Sequence, residues 1–122
     1  MENGTLKLKS QYENKEYEVK IIKSNYLQDH NLYIGLVYRD YMPDFCNTAE
    51  YWAPYCDITV NITKLPDNQA CIDVNNLGDY ICDWLIENKL AKPTNKVARS
   101  GFCTYPIFEF DLNEVNKYLM EA

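Results

Sequence analysis

Ile58-Thr59-Val60-Asn61-Ile62-Thr63-Lys64-Leu65-Pro66-Asp67-Asn68-Gln69-Ala70-Cys71-Ile72-Asp73-Val74, followed by a helical pattern from Asn76, is the stretch that decides the fold. Ile58, Val60 and Ile62 alternate with polar residues, the period of a half-buried strand. Leu65-Pro66-Asp67-Asn68 is a turn signal, and Ala70, Ile72 and Val74 resume the alternation, so the segment reads as a β-hairpin. Asn76 then offers an N-cap, and Leu77, Tyr80, Ile81, Trp84 and Leu85 fall on one helical face. Strand, turn, strand and amphipathic helix in succession point to an α+β domain.

Upstream, Tyr17, Val19 and Ile21 alternate with Glu18 and Lys20, and Leu32, Ile34, Leu36 and Tyr38 repeat the pattern. Residues 40–56 break it. Pro43 and Pro54 bracket Phe45, Tyr51 and Trp52, with Tyr55 just beyond, which predicts an inserted acidic, aromatic loop. Downstream, Pro93 is expected to close the helix, Gly101 marks a tight turn, and Tyr105 to Phe110 reads as a last strand. Asp111 and Glu114 are spaced as a capping box opening a short C-terminal helix, packed through Leu112, Val115 and Leu119. The expectation is one α+β domain over residues 1–122, with a mostly antiparallel sheet of about five to six strands, one central amphipathic helix and a short C-terminal helix.

Charge is unevenly spread. Residues 40–88 hold nine acidic side chains against the single basic Lys64, a local net of eight negative charges in a chain whose total is −6. Lys89, Lys92, Lys96 and Arg99 then form a basic strip. With 47% hydrophobic and 25% charged residues the composition is that of a folded protein, not of an acidic tail. No apolar run approaches the ~20 residues needed to cross a bilayer, and the N-terminus lacks the pattern of a secretion signal, so a cytoplasmic protein with no membrane role is expected.

Catalytic and metal chemistry find little support. Cys46, Cys56, Cys71, Cys82 and Cys103 are odd in number and form no Cys-x-x-Cys pair, and His30 is the only histidine. Buried, reduced thiols are the expected state, with Cys103, four residues after Arg99, nearest to an activating charge. No Gly-x-Ser-x-Gly elbow or phosphate-cradling glycine loop is present. The chain is therefore read as a non-enzyme with no cofactor, no metal and no catalytic residue.

The strings Asp57-Ile58-Thr59-Val60-Asn61, Leu65-Pro66, Asp73-Val74-Asn75-Asn76, Arg99-Ser100-Gly101-Phe102-Cys103-Thr104-Tyr105-Pro106 and Phe110-Asp111-Leu112 resemble an uncharacterised small-domain family carried on bacterial conjugative elements and plasmids, among antirestriction and accessory genes. The resemblance spans about Tyr12 to Leu112, and Ser100–Pro106 is its most specific part. Residues 40–56 resemble an expansion relative to that family. No activity accompanies the family; its setting implies accessory proteins, including ones that blunt host defence.

Asp79, Asp83 and Glu87 fall at i, i+4 and i+8, a line of carboxylates with a step of ~6 Å, close to the spacing of successive phosphates. The expected function is an acidic inhibitor of the anti-CRISPR or antirestriction type, a DNA mimic that enters the basic groove of a host nuclease such as a CRISPR effector or restriction enzyme. The expected contacts are Asp44, Phe45, Glu50, Tyr51, Trp52, Asp79, Asp83 and Glu87, the aromatics as desolvated anchors. Direct nucleic-acid binding is disfavoured by net −6. The alternative is a structural or regulatory adaptor domain that binds a protein through residues 40–56 or the Ser100–Pro106 string. Ordinary solvated charge accounts for the same carboxylates.

Overall fold

Alternation sets the first sheet. Leu6 and Leu8 turn inward from β1 (Leu6–Lys9), Val19 and Ile21 from β2 (Glu16–Asn25), and Leu32, Ile34 and Leu36 from β3 (Leu32–Tyr41). With β4 (Glu50–Asp57) these strands form an antiparallel sheet in the order β1-β2-β3-β4. The computed structural model describes residues 4–10, 15–41 and 50–120, with the side chains of residues 40, 41, 50 and 51 outside that description.

The inserted-loop reading of residues 40–56 is corrected at Glu50–Asp57, which is a strand paired to β3 from Tyr41↔Glu50 to Gly35↔Asp57. Pro54 suggested a loop, but it sits on an edge strand at the pairing irregularity beside Leu36 and Val37, where a missing N–H is tolerated. Tyr51, Trp52 and Tyr55 are then ordinary strand residues. Residues 42–49, with Pro43, Asp44, Phe45 and Cys46, lie outside the described residues.

At Ile58 the chain leaves the first sheet. The Ile58 N–H donates to the Ile34 carbonyl at 2.9 Å, its carbonyl accepts from the Asp73 N–H at 2.9 Å, and the side chain is fully buried. The second antiparallel sheet comprises β5 (Thr59–Val60), β6 (Gln69–Ile72), β7 (Ala91–Ser100) and β8 (Cys103–Phe110), in the order β5-β6-β8-β7. The expected hairpin is present, with Thr59↔Ile72 and Val60↔Cys71 in register, but its first strand is two residues long. Asn31 explains why the alternation at Ile62 does not continue as strand. Its buried amide donates to the Thr63 carbonyl and Asn61 Oδ1 and accepts from the Leu65 N–H, holding residues 61–65 as a loop.

Among the described residues, eight strands in two sheets thus replace the expected five to six in one. The principal omission was β7, whose inward residues include only the small Ala91 and Ala98, while Val97 points outward. Pro93 lies inside β7 and not at a helix end; Asn95, at φ 66, forms a bulge there, and Thr94 Oγ1 donates to the Ile107 carbonyl at 2.8 Å.

The expected single helix is also divided. Asp73, not Asn76, caps α1 (Val74–Leu77), Gly78 breaks it, and α2 (Tyr80–Glu87) follows. Ile81, Trp84 and Leu85 bury α2 in a core shared with Val19, Ile21, Leu36, Ile58, Ile72 and Phe110, drawn from both sheets. After β8, Asp111 Oδ1 accepts from the Asn113 and Glu114 N–H groups to cap α3 (Leu112–Val115), which runs into a 3₁₀ turn at Asn116–Tyr118. Glu114 does not complete a capping box; it pairs with Lys117 at 2.8 Å. Val115 is buried, and Leu119 bridges to Ile21 beside β2.

Candidate acidic docking face

The geometry of α2 follows from its ends. Gly78 takes φ 86 and ψ 167, a region open essentially to glycine, and turns the chain so that α2 starts afresh at Asp79. Asp79 occupies the N-cap position without a side-chain cap bond, and the helix ends at Asn88, whose side chain donates to the Trp84 carbonyl at 2.9 Å. On the inner face Trp84 Nε1 donates to the Lys7 carbonyl at 2.8 Å, tying the helix to β1. Eight residues with this inward stripe leave Asp79, Asp83 and Glu87 exposed on the other side. No ion pair engages any of the three among the described residues. Asp79 at the N-cap and Asp83 in the first turn are favoured by the positive end of the helix, whereas Glu87 is opposed by the negative end and each like-charge neighbour pair repels.

The field of that face is felt by a neighbouring thiol. Cys82 is pushed up to about 11, first by burial and then by the charges of Asp79 and Asp83. Cys56 is pushed up to about 12 by burial, with Asp57 and Asp73 adding, and burial raises Cys71. These three thiols are held protonated, the opposite of what a nucleophile needs. His30 is exposed in the turn between β2 and β3, at φ 62. Among the described residues no group of three or more His, Cys, Asp or Glu side chains is placed to hold a metal ion.

The remaining acidic residues are dispersed. Asp73 is buried and spent on α1, where it accepts from the Asn76 amide at 2.8 Å. Asp57, at the end of β4, accepts from the Tyr33 hydroxyl at 2.6 Å, and burial followed by this carboxylate raises the Tyr33 pKa. Asp67 is exposed in the turn before β6. Glu50 lies at the start of β4 opposite Tyr41, and Asp44 falls outside the described residues.

The expected aromatic anchors separate as well. Trp52 sits on the outer face of the first sheet, half-buried, with Lys20 Nζ and Arg39 Cζ each 5.1 Å from its ring centroid. Arg39 also meets Glu18 at 3.0 Å. Tyr55 turns inward, its ring 5.5 Å from Tyr17 and 5.8 Å from Tyr38. Tyr51 pairs with Asp40 through the backbone, and Phe45 is outside the described residues. Because α2 packs on the inner face of that sheet, Trp52 and the carboxylate line are on opposite sides of it. The structure brings Asp79, Asp83 and Glu87 together and places Trp52 apart from them, in a cationic setting. Lys20 and Arg39 carried a readable signal, since the β2 and β3 alternation assigns both to the outer face.

Beside the end of α2 lies an open groove of about 560 Å³, which no sequence pattern indicated. Ile86, Lys89, Lys92, Glu109 and Leu112 line it, with Lys92 and Glu109 paired at 3.5 Å. Its volume is in the range of small-ligand sites, but its charges largely cancel.

No helix among the described residues is long and apolar enough to cross a membrane. Comparison with the curated proteins and with the solved structures finds no match. A family profile described as Domain of unknown function (DUF4313) matches residues 18–122. With a match over most of its length, including α2 and the whole second sheet, the chain belongs to the DUF4313 family.

Proposed function

We propose that this protein is a non-enzymatic binding domain that presents the carboxylates of α2 to the basic nucleic-acid groove of a partner enzyme. The observation that carries the reading is the exposed line Asp79, Asp83 and Glu87, which no cation within the described residues neutralises. Successive carboxylates climb the helix by ~6 Å, near the step of a phosphate backbone, and complementary charge speeds encounter and makes binding salt-sensitive. The mobile-element setting implied by the sequence resemblance makes a host defence nuclease, of CRISPR or restriction type, the proposed partner class. Trp52 is left out of this interface, because it lies across the sheet and its ring is already engaged by two cations, Lys20 and Arg39.

Capture on the tagged protein from a bacterial host at low salt, followed by a high-salt wash, tests the proposal. The expected result is release of a nucleic-acid enzyme whose binding duplex DNA competes away. Retention of a salt-resistant partner indifferent to DNA contradicts mimicry and favours the adaptor reading.

A further inference from the structure

The β7–β8 hairpin has features that the carboxylate reading leaves unused. Ser100 and Cys103 pair directly, so Gly101 and Phe102 form a two-residue turn. Gly101 takes φ 61 and Phe102 does not share the positive φ, the pattern of a II′ turn with glycine first. Phe102 is thereby held fully exposed at the apex, and Val97, on the same hairpin, is 57% exposed. One exposed aromatic is unremarkable by itself. Its surroundings set it apart: Lys96 and Arg99 are exposed on β7, and no acidic residue occurs from Lys89 to Phe108. Lys92 is paired with Glu109, whereas no ion pair engages Lys96 or Arg99 among the described residues. β7 is an edge strand; Arg99 shares one face of it with the exposed Val97, while Lys96, opposite Ile107, projects from the other face beside Ala98.

We infer that the β7–β8 hairpin is a contact site for single-stranded nucleic acid, with Phe102 stacking on a base, Arg99 meeting a following phosphate and Lys96 adding its charge from the other face of the open edge. From Phe102 to Lys96 the strand rises roughly 20 Å. That length suits about four nucleotides, at the short end of single-strand sites. An aromatic platform with cations along one strand is the combination that binds a single strand without sequence preference. A lipid surface is a poorer match, because one aromatic and one valine provide only marginal insertion. The net charge of −6 does not forbid the contact, since near 0.1 M salt charges are felt over ~10 Å and the hairpin carries its own. The inference stands independently of the carboxylate face.

Fluorescence anisotropy of a labelled oligothymidylate of about 20 nucleotides, titrated with the full chain near 0.1 M salt, is the test. Binding by the wild type, about tenfold weaker for Phe102→Ala and with a shallower salt dependence for Lys96→Gln with Arg99→Gln, is the expected result. Circular dichroism and thermal melting confirm that the variants fold, which the full exposure of Phe102 favours. Absence of wild-type binding, binding unchanged by Phe102→Ala, or binding only to anionic phosphatidylglycerol vesicles overturns the inference.

Discussion

Among individual residues, the cysteines show most directly how environment fixes chemistry. Composition and spacing identified them as small apolar residues, and the fold adds the cause: Cys56 and Cys82 are shielded from water and faced by carboxylates. Both pKa values are raised, so the folded state favours the neutral thiol. The stability this contributes is complete below the ordinary value of 9.0 and is lost as pH rises towards about 11 for Cys82 and about 12 for Cys56. The thermal midpoint should therefore fall between pH 9 and 12, and Cys56→Ala should flatten that fall. At pH 8 both thiols should alkylate with iodoacetamide far more slowly than a free thiol, as peptide mass spectrometry would show; reaction at the free-thiol rate would contradict their shielding. Trp52 teaches the converse lesson. Its identity suggested a binding anchor, but Lys20 and Arg39 reach it only through cross-strand pairing, which a linear pattern does not display.

At the scale of elements, strong periodicity was legible and weak periodicity was not. β2, β3, the hairpin turn before β6, the inward stripe of α2, the last strand and the Asp111 cap follow from alternation, helical spacing and short polar residues. β4 was hidden by Pro54, which an edge position accommodates, and β7 by alanines too small to mark a buried face. The boundary between α1 and α2 was hidden because the apolar spacing of Leu77, Tyr80 and Ile81 runs across it unbroken. Gly78 makes the break, in a conformation that a side chain strains. Gly78→Ala should cost about 1–3 kcal/mol of stability, measured by urea unfolding. An unchanged midpoint would mean that residues 73–79 readily adopt another path, and the fixed position of Asp79 would be lost as an argument.

At the scale of the whole molecule, the acidic segment proves to be several things. Its charge was plain in the sequence, but its distribution required tertiary structure: Asp73 serves a cap, Asp57 holds Tyr33, and Asp79, Asp83 and Glu87 share a solvent face. Lys92, Lys96 and Arg99 lie on the edge strand of the second sheet, which leads to Phe102 at the hairpin turn, giving the molecule chemically distinct surfaces. The central claim is that the α2 face binds through charge. Its most direct test is the affinity of the salt-released partner for the wild type and for the combined Asp79→Lys, Asp83→Lys and Glu87→Lys variant, each at about 50 and 300 mM salt. The account predicts wild-type affinity that falls at least about tenfold over that range and loss of binding by the folded variant. Equal, salt-independent affinity of the two proteins would contradict it.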